Sequence, residues 1–183
     1  MHLTWLRSDL RIDDNTALSA ATERGPTIAL WLVSPGQWQA HDDAACKVDF
    51  WLRNLRDLRQ SLEGLNIPLL IRKIDTWDQA PQAVLEVCRQ HQVASAHWNE
   101  EYGINEQRRD DATRALLEKS GIQAHSHLDQ LFFRPGTILT RSGDYFQVFS
   151  QFKNTCLEHL HRSLPALAHR VKRQAPLHIP ADP

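Results

Sequence analysis

Apolar runs of strand length alternate along this chain with stretches in which apolar residues return every three or four positions. The first run is Leu3–Leu6. A charged turn follows. Asp13 or Asp14 is the expected N-cap of a helix over Asn15–Arg24, which Gly25-Pro26 ends. Thr27–Val33 (TIALWLV) is a continuous apolar run, the mark of a strand covered on both faces. Ser34-Pro35-Gly36 breaks it. Val48, Trp51, Leu52, Leu55, Leu58 and Leu62 then fall on one helical stripe, stopped by Gly64. Pro68–Ile71 reads as a third strand. Thr76 and Gln79 have capping-box spacing ahead of a helix whose apolar face is Val84, Val87 and Cys88. Val93–Trp98 is the fourth strand. A helix over Asn105–Ser120 ends at Gly121, and Gln123–His127 is a short fifth strand.

This alternation, joined by right-handed crossovers, predicts an α/β fold: a doubly wound, Rossmann-like sheet of five parallel strands in the order 3-2-1-4-5, with helices on both faces. The rhythm changes after Leu128. Phe132-Phe133-Arg134-Pro135-Gly136 and Ser142-Gly143 mark an irregular segment. One more helix carries Val148, Phe149, Phe152, Cys156 and Leu160 on a stripe. Four prolines between Ser163 and Pro183 make the tail a linker outside the core. The expected division is a domain over residues 1–162 and a linker over residues 163–183.

Composition narrows the function. With 183 residues, 42% of them hydrophobic, the chain is long enough for one well-buried domain. A net charge of −1 supplies no basic excess that would demand nucleic acid. Cys46, Cys88 and Cys156 are odd in number and widely spaced, which fits a reducing cytoplasm better than a disulfide framework. No run is long and apolar enough to span a membrane. None of the seven glycines makes a G-x-G-x-x-G or P-loop pattern, so no phosphate cradle is signalled. His125 and His127 share a strand face, but no third ligand has metal spacing.

The polar stretch Trp98-Asn99-Glu100-Glu101-Tyr102-Gly103-Ile104-Asn105-Glu106 directly follows a buried strand. Ligands of open parallel sheets lie beyond the strands' carboxyl ends, where the strand order reverses. Asn105 and Glu106 would face that crevice from a first helical turn. The alternative is an acidic helix start favoured by the macrodipole.

Four motifs resemble the DNA photolyase and cryptochrome family. The opening Trp5-Leu6-Arg7-Ser8-Asp9-Leu10-Arg11-Ile12-Asp13-Asp14-Asn15-Thr16-Ala17-Leu18 matches W-x-R-x-D-L-R-x-x-D-N-x-A-L. Asn99 to Asp110 is similar to N-x-x-Y-x-x-N-E-x-R-D. The loop Pro35 to His41 resembles P-x-Q-W-x-x-H, and Leu139 to Phe152 the segment that packs the end of the family's antenna domain. There Ser150-Gln151 replaces a usual Thr-Pro.

The resemblance implies a light-harvesting antenna domain of the bacterial folate type, binding methenyltetrahydrofolate. Asn105, Glu106 and His41 would hold the pterin, Trp38 would lie beside it, and Lys47 would meet its anionic tail. Cys46 stands where relatives often carry Arg. The charged cluster from Arg7 to Asp14 would be a structural fingerprint, and the other tryptophans core. The implied parent is a monomeric, cytoplasmic enzyme that repairs cyclobutane pyrimidine dimers in UV-damaged DNA. Its FAD would sit in a C-terminal domain absent from this chain. Alternatives are a cryptochrome-like photoreceptor domain and a stand-alone cofactor-binding α/β module.

Overall fold

In a computed structural model describing residues 1–182, the strands are β1 (His2–Leu6), β2 (Thr27–Val33), β3 (Leu69–Lys73), β4 (Ser95–Asn99) and β5 (Gln123–His127). The helices are α1 (Thr16–Arg24), α2 (Pro35–Ala40), α3 (Ala45–Gly64), α4 (Ala80–Gln90), α5 (Ile104–Lys119) and α6 (Phe149–Arg162). The sheet order is β3-β2-β1-β4-β5, and every strand pair is parallel. The expected doubly wound sheet is therefore present, with β1 at its centre.

Strand alternation sorts side chains into two cores. Leu3, Trp5, Ile28, Leu30, Leu70, Ala96 and Trp98 pack with Val84, Val87, Cys88 and Leu117 of α4 and α5. Leu6, Ala29, Trp31 and Leu69 pack with Leu18 of α1 and Leu55, Leu58 and Leu62 of α3. The helices thus cover both faces.

Local details depart from the sequence reading. Asn15, not Asp13 or Asp14, caps α1, accepting from the Leu18 amide at 3.0 Å. Asp14 adopts a left-handed turn conformation (φ 47°), so the helix starts one residue later. The loop after β2 contains a short helix, α2, with Pro35 pre-setting its first turn. The capping box is absent: Gln79 accepts from the Asp75 amide, and the Thr76 hydroxyl turns to Asp78.

The tail has no helix or strand but is not free of the core. Val171 is buried beside α3, and Leu177 and Ile179 pack against the opposite core. Gln174 donates to the Thr27 and Asn66 carbonyls and accepts from the Thr27 amide. The Asp182 amide donates to the Leu69 carbonyl along the outer edge of β3. Pro183, the last residue of the expected linker, lies outside the described residues. The apolar stripe of α6, expected to pack, buries none of its residues.

Candidate functional site

The carboxyl ends of β1, β2 and β4 open into a cavity of about 490 Å³ at the β1/β4 switch in strand order. Each strand delivers its wall by running on past its last paired residue. β1 continues into Arg7 and Ser8, and β2 ends beside Ser34. β4 runs into Glu101, Tyr102 and Gly103.

The aromatic lining is dense. Trp31, Trp38 and Trp51 form a contiguous series with ring centroids 6.2 and 6.1 Å apart. Trp77 meets His41 edge to face at 5.4 Å. The His41 ring, just past the end of α2, is further held by Gln37 of that helix, 2.7 Å away. Lys47 rests over Trp51 at 4.7 Å and pairs with Asp43 at 2.5 Å.

Charges beneath the cavity neutralise one another. The Arg109 guanidinium bonds Glu101 at 2.7 Å and Asp110 at 2.8 Å. It also lies against the Trp5 and Trp77 rings, at 5.1 and 4.7 Å. Arg7 pairs with Asp110 at 3.5 Å and donates to the Asn99 carbonyl. Burial alone would raise the Glu101 carboxyl, but the Arg7 and Arg109 cations hold it below its ordinary value. At Asp110 burial wins, and that carboxyl is raised. The result is a rigid polar floor.

Glu106 differs from these carboxylates. It lines the cavity from the first turn of α5 and makes no hydrogen bond or ion pair among the described residues. Its carboxylate lies so close to Gly103 that a Cβ there would collide with it. The glycine therefore creates the space the carboxylate occupies.

Of the five residues singled out from sequence, Trp38, His41, Lys47 and Glu106 converge on the cavity, and Asn105 does not. Asn105 is exposed on the outer side of α5. Successive helical residues turn by roughly 100°. Glu106 shares the inward stripe of Arg109, Asp110 and Thr113, while Asn105 falls a quarter-turn away. Sequence reading missed Trp31, Trp51 and Trp77 as cavity walls by assigning them to the core. Their signal was position, since each lies at or just beyond a carboxyl strand end or on the helix facing one.

Arg7 and Ser8 of the charged opening segment reach the cavity wall, and Asp9 ties its turn together. Asp9 is buried, accepting from the Arg7 amide and from the Asn15 and Asn99 side chains.

Comparison with known proteins follows the same outline. The family model described as DNA photolyase matches residues 2–171. The deoxyribodipyrimidine photo-lyase of Salmonella typhimurium is 33% identical over 186 residues, covering 100% of this chain and 39% of the relative. That of Vibrio cholerae is 35% identical over 158 residues, covering 86% of this chain and 34% of the relative. The chain thus spans little more than a third of the curated relatives it matches. A class III photolyase structure from Agrobacterium tumefaciens superposes with a TM-score of 0.76 at 24% identity, over 100% of this chain and 36% of that one. A Synechocystis cryptochrome superposes with a TM-score of 0.72 at 16% identity, over 100% of this chain and 39% of that one. Both structural likenesses establish the fold alone.

Proposed function

Because the chain belongs to the DNA photolyase family, we propose that it is the light-harvesting part of a deoxyribodipyrimidine photo-lyase that repairs cyclobutane pyrimidine dimers. The chain binds the antenna chromophore, orients it and excludes water. Electron transfer and bond cleavage belong to the FAD-containing remainder of the parent, which also meets the damaged DNA. The chain alone is not catalytic. Three free cysteines support a reducing, cytoplasmic setting, and no described helix is long and apolar enough to cross a membrane.

The observation that carries this reading is the meeting of Trp38, His41, Lys47 and Glu106 around one tryptophan-lined cavity. A folate antenna suits that chemistry. A pterin is flat, and the tryptophan faces match it. Its edge carries adjacent N–H donors, which the unengaged Glu106 carboxylate can accept. Lys47 stands at the rim for an anionic tail. Bound methenyltetrahydrofolate would supply near-ultraviolet absorption; the protein residues only bind and orient it. Asn105 has no place in this arrangement.

A charge-assisted hydrogen bond is worth about 1.5–3 kcal/mol. In the full-length parent reconstituted with methenyltetrahydrofolate, Glu106→Ala should therefore weaken antenna binding roughly ten- to a hundredfold. Near-ultraviolet absorbance at subsaturating folate measures this, and flavin-driven repair should persist. Unchanged occupancy would return Glu106 to the role of a helix-start carboxylate.

A further inference from the structure

Away from the cavity, four histidines gather where β1, β4 and β5 lie against α1. The fully buried His97 ring stacks on His127, with centroids 5.3 Å apart and planes 11° apart. His125 lies 4.8 Å from His97, and His2 lies 6.4 Å away. Among the described residues no group of three or more His, Cys, Asp or Glu has the arrangement to hold a metal ion. The rings instead bond to one another in series. His2 Nδ1 is 2.8 Å from Ser95 Oγ, which is 2.9 Å from His97 Nε2. His97 Nδ1 is 3.1 Å from His127 Nε2.

One carbonyl fixes the direction of this series. His2 Nε2 lies 3.1 Å from the Arg24 carbonyl oxygen, which can only accept. His2 therefore carries its proton on Nε2. In neutral His2, Nδ1 must then accept the Ser95 hydroxyl proton. Ser95 Oγ in turn accepts from His97 Nε2, and His97 Nδ1 accepts from His127 Nε2. All three neutral rings are Nε2–H tautomers.

An added proton can enter at an end: on His127 Nδ1, or on His2 Nδ1 with the whole series reversed. Neither loses a hydrogen bond. Protonated at both ends, the series leaves the Ser95 hydroxyl accepting twice with no acceptor for its own proton. A proton on His97 requires His127 to turn to its Nδ1–H tautomer, and it places a charge on a fully buried ring whose hydrogen-bond partners are Ser95 and His127, neither of them a carboxylate.

We propose that this histidine series is an acid-sensitive latch fastening the β1–β4–β5 side of the sheet, closed while His97 is neutral and its partners follow one hydrogen-bond polarity. The charged groups around it favour the uncharged state. The Met1 amino group and Arg24 of α1 oppose a proton on His2, and Arg24 also opposes one on His97, His125 and His127. Arg114 of α5 opposes a proton on His125. Glu100 and Asp129 favour one on His127, without outweighing its burial and His125. Burial, followed by the neighbouring imidazoles, pushes His97 down to about 3.

The neutral ring is thus preferred in the fold, whereas the unfolded chain takes up a proton near 6.5. The stabilisation is complete above that value and is lost as pH falls from there towards 3. β4 continues directly into Glu100 and Glu101, so the latch fastens the strand that carries the cavity's acidic wall.

Nitrogen-detected NMR of the histidine rings in the unaltered chain at pH 7.5 tests the polarity. Nε2–H tautomers at His2, His97 and His127 are expected, with His97 still neutral at pH 5. An Nδ1–H tautomer at His97, or a charged His97 at pH 5, overturns the latch. Urea unfolding at the same two values tests its consequence. His97 alone should lower the folding equilibrium constant roughly thirtyfold between pH 7.5 and 5. His97→Phe keeps a ring and removes both nitrogens, so most of that drop should vanish. A drop of unchanged size in a folded His97→Phe chain also overturns the proposal. Should that variant fail to fold, the tautomers of the unaltered chain decide.

Discussion

Asn99 ends β4 with both halves of its carboxamide in use. Its Nδ2 donates to Asp9 at 2.7 Å and to Asn15 at 2.9 Å, and its Oδ1 accepts from the Ala17 amide at 2.9 Å. One side chain thereby ties the turn after β1 to the start of α1 and the end of β4. Asn99→Leu would leave the buried Ala17 amide without its acceptor and take one of three donors from the buried Asp9 carboxylate, and should cost about 3 kcal/mol in urea unfolding. Glu101 is tied to the same floor from the other side. Its folded value lies below the 4.5 of an ordinary glutamate, so its contribution is present above 4.5 and lost as pH falls through the folded value. Glu101→Gln should therefore show a flatter fall in urea midpoint between pH 5 and 3 than the unaltered chain. Glu101 and Asp9 were legible in the sequence as charged residues after strands. Which charges were buried was not, because burial depends on partners some 90 positions away.

The elements read unevenly, for physical reasons. Thr27–Val33 and Gln123–His127 have the same bounds in sequence reading and structure, since turn-forming residues bracket each run. α2 escaped notice because six residues are too few to show helical periodicity, although Pro35 marks its first turn. Asn105 and Glu106 were read together as facing the crevice, and helix geometry turns such neighbours by roughly 100°, so only Glu106 lines the cavity. The tail's docking rests on isolated anchors, chiefly Val171, and isolated apolar residues carry no period. These anchors shield the outer edge of β3, where Asp182 Oδ2 also accepts from the Ile71 amide at 2.7 Å and pairs with Arg72 at 2.6 Å. Removing residues 164–183 should cost about 2 kcal/mol, the worth of one buried Val side chain. It should also bare an unpaired strand edge. Denaturant unfolding reports the first effect, and concentration-dependent light scattering the second.

At the scale of the whole molecule, exposed large apolar side chains are most frequent along the chain between Leu131 and Leu167, with Phe50, Leu52 and Ile104 outside that stretch. Phe132, Tyr145 and Phe149 are 66%, 70% and 74% exposed, and α6 contributes Phe152 and Leu157 to the same stretch of chain. Phe149 and Phe146 both lie against Phe152, so this stretch holds at least one cluster of aromatic rings. Phe149→Glu should reduce binding of a hydrophobic dye while leaving stability within about 0.5 kcal/mol. The sheet's wiring has a further consequence, which belongs to the time axis. The first strand made is the central one, and its two neighbours come from very different distances: His2 pairs with Thr27 on one side and with Ser95 on the other. Ribosomes add about 5–20 residues per second. The β1–β2 half can assemble almost at once, but the opposite flank of β1 stays bare for roughly 3–14 s of further synthesis at that speed. During that interval Leu3 and Trp5 have no β4 beside them, and the nascent chain is most in need of a chaperone just before its own fourth strand emerges.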